Sequence, residues 1–224
     1  MFPGSALSFN DRGVLYTQNS LFPSSSRQSG LASNFVNRMA CGQDSMEGVQ
    51  QVLATKGQTL GYSLNVVAPT IGGKGDRDVA NFEVFEDELS RYSLPPSATS
   101  SVPSTSNYSH FNMYKRLRVP QRQEASTLHR QARVDALPPV RTANDILHRL
   151  GDTEDANYPI YRNITLMTSL ITITTPTTTT ASGTSNAAGK TTSTVVRVWC
   201  LSNPSSTPPC YEWDLASFWN ADAS

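Results

Sequence analysis

The sequence predicts an α+β fold in which helices pack on antiparallel sheets. Three observations carry the prediction. Strand-like and helix-like segments come in blocks: two strands, two helices, three strands, two helices, then strands again. That segregation belongs to layered α+β chains rather than to regular β–α alternation. The chain opens on a hairpin signature around Asn10-Asp11-Arg12-Gly13, and β-branched runs dominate residues 164–174 and 194–201.

Each element has a local reason. Apolar-rich runs flank Asn10-Asp11-Arg12-Gly13, and Gly13 can take the positive φ that the turn requires. Residues 24–30 read as a loop. Residues 31–41 carry a helical period that places Leu31, Phe35 and Met39 on one face. Asp44-Ser45-Met46-Glu47 is a capping-box-like start to a second helix with Met46, Val49, Val52 and Leu53 at helical spacing, stopped by Gly57. Residues 63–71 and 79–85 read as a strand pair joined by Gly72-Gly73-Lys74-Gly75-Asp76. A Ser/Pro-rich loop over about 95–107 precedes a further strand closed by Asn112. Residues 126–137 form a third helix ended by Pro138-Pro139, and Thr142 with Asp145 begins a fourth that ends at Gly151. Residues 175–193, rich in Thr, Ser, Ala and Gly, have too little apolar surface to pack and read as a long hairpin loop. The run is too short and irregular for an ice-binding or mucin-like surface. No internal repeat is visible, and residues 1–224 are expected to form a single domain.

Composition narrows the function. The 224 residues are 38% hydrophobic and 16% charged, with formal net charge zero. That balance offers no electrostatic basis for binding nucleic acid or an anionic membrane surface. No apolar run approaches the roughly 18–20 residues of a membrane span. Met1-Phe2-Pro3-Gly4-Ser5 has neither the basic nor the apolar region of a signal peptide, which points to a cytoplasmic protein. Three cysteines, Cys41, Cys200 and Cys210, are too few for a disulfide framework. Cys200 and Cys210 flank a Pro-rich turn and could pair in a secreted protein; in a cytosolic one they are thiols. The sequons at Asn107 and Asn163 carry meaning only on a secretory route.

The candidate chemistry centres on Asn112, in Tyr108-Ser109-His110-Phe111-Asn112-Met113-Tyr114-Lys115-Arg116-Leu117. Asn is a poor strand residue, so one at a strand end serves either as a turn or cap or as a hydrogen-bonding group. His110, His129 and His148 lack metal-ligand spacing, no cysteine pair has zinc spacing, and no cofactor motif occurs. Gly72-Gly73-Lys74-Gly75 is not a phosphate loop, because no Ser or Thr follows the Lys at the required place. Cys41 ends a helical pattern and has no α-amino group to act as a base. Cys200, beside Trp199 within a strand, is expected to be a buried structural thiol, and Cys210 follows a Pro-Pro turn.

Several segments in order resemble the acyl-coenzyme A:6-aminopenicillanic acid acyltransferase family of cysteine N-terminal-nucleophile hydrolases. The similarity is greatest to its N-β-alanyl-dopamine (carcinine) hydrolase branch, the insect Tan type. They are Phe2-Pro3-Gly4-Ser5, Phe9-Asn10-x-x-Gly13 with Asn19, His110-Phe111-Asn112-Met113-Tyr114-Lys115, and Leu128-His129-Arg130-Gln131-Ala132-Arg133. Leu150-Gly151-Asp152-Thr153, Tyr158-Pro159-Ile160-Tyr161-Arg162, Thr165-Leu166, and Asn203-Pro204 with Tyr211-Glu212-Trp213 complete the succession.

The resemblance implies an αββα sandwich of two antiparallel sheets. It also implies an amide hydrolase or acyltransferase whose N-terminal cysteine attacks while its own α-amino group acts as base. The expected substrate is a small-molecule β-alanyl amide of a biogenic amine, with no cofactor, metal, nucleic acid or membrane partner. In the family pattern the His-x-Asn segment supplies an oxyanion donor, and Asn112 falls on it. The family also places an Arg shortly before a Thr-Leu strand start. Arg162 holds that place, although the short stretch from Tyr161 to Thr165 leaves it open as the Arg of the Tyr-Pro motif, or as a surface Arg paired with Asp152 or Glu154. Asn19 is a candidate to face substrate, while Arg130 and Arg133 read as helix-surface residues. The family's nucleophilic cysteine and its acidic neighbour have no counterpart here. On that reading the chain is the larger, C-terminal part of the domain, lacks its first strands, is inactive alone, and takes the missing part from another segment or subunit. The alternative is a catalytically inactive paralogue that serves as a binding or structural module.

Overall fold

The computed structural model describes residues 6–71, 77–94, 107–174 and 193–215. The predicted turn at 72–76, the Phe2-Pro3-Gly4-Ser5 motif and most of both long loops lie outside the described residues. The chain divides into two units, Met1–Pro139 and Val140–Ser224.

In the first unit β1 (Leu7–Phe9), β2 (Leu15–Ser20), β3 (Tyr62–Pro69), β4 (Arg77–Phe85) and β5 (Glu88–Leu94) form one antiparallel sheet in sequential order. Helices α1 (Ser33–Cys41) and α2 (Met46–Leu53) enter between β2 and β3. Alternation along the strands sends Val14, Tyr16, Leu64, Val66, Phe82 and Val84 to one face, where they bury with Val36, Ala40, Met46, Val49 and Leu53 of the helices. Each buried Val, Leu, Phe or Met side chain among them stabilises the fold by about 1.5–3 kcal/mol. Ser45 caps α2 by accepting the Gly48 N–H.

The buried stripe of α1 differs from the predicted one. Val36, Asn37 and Ala40 face the sheet, while Phe35 and Met39 are 65% and 51% exposed. The smaller stripe permits close approach, and two polar groups of Asn37 find partners there: its side-chain NH₂ donates to Gln18 Oε1 at 2.7 Å, and its backbone carbonyl accepts the Tyr16 hydroxyl at 2.9 Å. Strand β5 was not foreseen. Glu88-Leu89-Ser90-Arg91-Tyr92-Ser93-Leu94 is an edge strand with charged and polar positions that mask its period. The strand expected to end at Asn112 is instead an irregular segment across 107–124; the N–H groups of residues 114–117 find side-chain acceptors, and only Gln121 makes an isolated bridge, to Pro23. It leads into α3 (Ala125–Ala136).

Tyr114 of that segment lies over Gly61 at the start of β3. A Cβ at Gly61 would stand 1.8 Å from the Tyr114 hydroxyl and 3.0 Å from its ring. Tyr114 is buried, so its ring has little room to retreat. Gly61→Ala is expected to destabilise the protein by about 1–3 kcal/mol through overpacking, read as a lower urea midpoint. An unchanged midpoint would show that the ring moves freely.

The second unit holds α4 (Ala143–Leu150) and an antiparallel sheet in the order β6 (Met167–Thr174), β7 (Ser193–Cys200), β8 (Tyr211–Asp214). Thr142 and Asp145 begin α4 as expected and form a capping box, satisfying each other's backbone N–H groups. Gly151 is needed for close approach: a Cβ there would lie 2.2 Å from Asn203 Oδ1, while Asn203 Nδ2 donates to the Gly151 carbonyl at 2.9 Å. Cys200 corrects the expectation of a buried thiol. Trp199 is buried, but β7 ends at Cys200 and leaves that side chain exposed. Between the named strands of the described residues the pairing is antiparallel, and four helices accompany them, so the α+β class is observed. No helix among them is long and apolar enough to cross a membrane.

Candidate functional site

The sheet face opposite α1 and α2 is polar, and the strand register explains why. Asn19 pairs with Ser63, Ser63 with Glu83, and Glu83 with Ser90. One pair along, Thr17 faces Asn65, Asn65 faces Asn81, and Asn81 faces Tyr92. Two cross-strand rows of polar side chains therefore lie side by side, yet Ser63, Asn81 and Glu83 are fully buried. The 108–117 segment covers them, and satisfying those buried groups is what fixes its path.

Glu83 is the hub. Its Oε1 accepts from His110 Nε2 at 2.9 Å and from the Lys115 N–H at 2.7 Å; its Oε2 accepts the N–H groups of Arg116 and Leu117, each at 2.9 Å. The Arg116 guanidinium lies 3.7 Å from the same carboxylate. Burial pushes the Glu83 pKa up, but the hydrogen bonds from His110 and from the Leu117, Lys115 and Arg116 backbone overcome it and bring the carboxyl down to about 2. Arg116 extends the network to Asn81 Oδ1 at 2.6 Å and Ser90 Oγ at 3.0 Å, and Tyr108 donates to Asn81 at 3.1 Å.

Ser63, His110 and Glu83 have the residue types of a catalytic triad. The geometry rejects that role. His110 Nδ1 is 3.2 Å from Ser63 Oγ but only 2.7 Å from the Phe111 carbonyl, so the backbone carbonyl and not the hydroxyl is its nearer partner. Ser63 also lies under the covering segment, with no approach for a carbonyl carbon.

Asn112 emerges from this anchor partly exposed. Its Nδ2 donates to the Ser20 carbonyl at 2.9 Å, and its Oδ1 accepts from Arg130 Nη2 at 3.1 Å. An amide nitrogen carries two hydrogens, and among the described residues Ser20 takes one of them. A guanidinium on the amide oxygen draws electron density from the nitrogen and strengthens the remaining N–H as a donor. Arg130 is itself held by the Ser126 carbonyl at 3.0 Å and by the Phe111 ring, 4.9 Å away. Asn19 donates to the His110 carbonyl at 2.7 Å, which places it as a support of the segment. Beside Asn112, a small pocket is lined by Met113, Gln121, Arg122, Glu124, Thr127 and Leu128.

The other candidate residues fall elsewhere. Arg162 belongs to the second unit, where its N–H donates to Thr165 Oγ1 at 3.0 Å and its carbonyl accepts the Thr165 N–H at 2.8 Å; Asn112 belongs to the first. Arg133 lies in the last turn of α3. Cys41 is half-buried at the end of α1; burial pushes its thiol up, against Arg38 and Arg12, and its Sγ lies 3.6 Å from the Phe9 carbonyl. No group of His, Cys, Asp and Glu among the described residues could hold a metal ion. The sequence reading missed Glu83 and Arg130. The signal for Glu83 was present in the alternation Asn81-Phe82-Glu83-Val84, which puts a carboxylate on a face that a central strand has to bury.

No family model matches this chain, and no curated protein matches it.

Proposed function

We propose that this chain supplies the oxyanion-binding side of an amide hydrolase or acyltransferase of the cysteine N-terminal-nucleophile type. Its substrates are β-alanyl amides of biogenic amines, and its fold is an αββα sandwich. One observation supports the reading above others: segments of the resemblance far apart in sequence meet at Asn112. Asn19 holds His110, and Arg130 orients Asn112. Asn112 offers a neutral donor with no proton to lose, on a segment that a buried carboxylate holds rigid, as stabilisation of a developing oxyanion requires. The nucleophile is a cysteine other than the three present, since Cys41, Cys200 and Cys210 are internal residues whose α-nitrogens are amides and cannot act as the base.

The chain as it stands is therefore expected to bind N-β-alanyl-dopamine without cleaving it. Titration of the amide should shift the Asn112 side-chain NH₂ resonances, assigned by their loss in Asn112→Asp, with no dopamine released. Turnover by this chain would contradict the division of roles, and unmoved Asn112 resonances would contradict the site. The second reading, a binding or structural module without catalysis, is favoured by the Ser20 carbonyl already taking one Asn112 N–H. It predicts that same absence of a shift, together with a loss of stability on substituting Asn112.

A further inference from the structure

In the second unit two sulfurs converge where β7 ends and β8 begins. The Cys210 N–H donates to the Val198 carbonyl at 2.8 Å, which draws Cys210 back onto the strand that ends at Cys200. Its Sγ then accepts the Cys200 N–H at 2.9 Å and lies 3.9 Å from the Cys200 carbonyl. Both thiols are free and exposed. The connecting loop holds this geometry by itself. Asn203 Oδ1 accepts the Ser205 N–H at 2.9 Å and the Ser205 hydroxyl at 2.7 Å, its carbonyl accepts the Thr207 hydroxyl at 2.7 Å, and Trp199 Nε1 donates to the Thr207 carbonyl at 2.8 Å. Thus two exposed cysteines are kept adjacent by the fold of the loop, by the Cys210 backbone, and by one N–H contact to the Cys210 sulfur.

We propose that Cys200 and Cys210 form a reversible dithiol site that reacts with low-molecular-weight disulfides and closes into an internal disulfide across the 201–209 loop. One cysteine, as thiolate, attacks a sulfur of the small disulfide; a protein–small-molecule S–S bond forms and one small thiolate leaves and is protonated. The second cysteine, after losing its proton, attacks the protein sulfur of that mixed disulfide and displaces the other small thiolate. Two cysteine thiols are oxidised and one small disulfide is reduced to two thiols. The second step is intramolecular, so the neighbouring thiol acts at an effective concentration that bulk reagent does not match. The Cys200 thiol is pushed up chiefly by its hydrogen bond to Cys210, which agrees with the two sulfurs being in contact. Cys41 is half-buried and desolvated, and is expected to react slowest.

The test incubates the full chain with glutathione disulfide, alkylates the remaining thiols and maps the peptides. Wild type is expected to carry a Cys200–Cys210 bridge that exceeds either glutathione adduct by at least about tenfold, with Cys41 alkylated. Cys200→Ser and Cys210→Ser should each retain a stable glutathione adduct on the remaining partner. Because both side chains are exposed, neither substitution should lower the urea midpoint. Glutathione adducts standing together on Cys200 and Cys210 in the wild type would overturn the proposal. So would a bridge involving Cys41, or reaction at Cys41 ahead of the pair.

Discussion

Asn112→Ala, in a protein that joins this chain to a segment bearing the N-terminal cysteine, is expected to lower kcat by roughly 10²–10³-fold, or about 3–4 kcal/mol of transition-state stabilisation. The effect should fall on kcat and leave KM nearly unchanged, because the charge that the amide N–H meets exists only in the transition state. The structural cost of the substitution is small. The Ser20 carbonyl that loses its donor is on an exposed residue and can turn to water, and Arg130 keeps the Ser126 carbonyl. A loss of activity smaller than about threefold would remove Asn112 from the oxyanion site.

Glu83→Gln should act on stability instead, with a loss of about 3–5 kcal/mol. The substitution leaves His110 and Arg116 facing no charge in a buried site and turns an amide NH₂ toward backbone N–H groups that need an acceptor. A loss of that size takes a large share of the 5–15 kcal/mol typical of a domain. The pH dependence gives an independent check. The Glu83 carboxyl sits at about 2 in the folded protein against an ordinary value of 4.5, so it binds protons more readily in the unfolded chain. Its contribution is therefore complete above about pH 4.5 and is lost as pH falls from there toward 2, on the order of 3 kcal/mol in total. Urea unfolding midpoints should fall across that window in wild type, and the fall should be shallower by this amount in Glu83→Gln. Parallel pH profiles for the two proteins would show that Glu83 is not the anchor.

Much of the architecture was legible in the sequence because it is written locally. The opening hairpin, both capped helices and the β-branched strands each rest on signals within a few residues, and the structure places them within one to three residues of the expected bounds. The misses have a common cause. Strand β5 is an edge whose Glu88, Arg91 and Tyr92 mask its period, and α1 buries its smaller stripe, where Gln18 and Tyr16, distant in sequence, take the Asn37 side-chain NH₂ and backbone carbonyl. Asn112 was found, but it was placed at a strand end, although its segment is shaped by a carboxylate on β4. Arg130 looked like any helix-surface arginine, since nothing in residues 125–136 reveals that α3 delivers it to Asn112. Polar side chains that act on one another across the fold leave little local trace, and this site is made of them.

Asn112→Asp tests the central claim most directly, with kcat for N-β-alanyl-dopamine and the urea midpoint measured on the same cysteine-bearing protein. The substitution keeps the side chain's shape and its contact with Arg130 but removes both N–H donors. An oxyanion donor predicts a fall in kcat of at least about 10²-fold, with the midpoint within about 1 kcal/mol of wild type. Activity within about threefold of wild type, or a loss of activity that only follows unfolding, would contradict it.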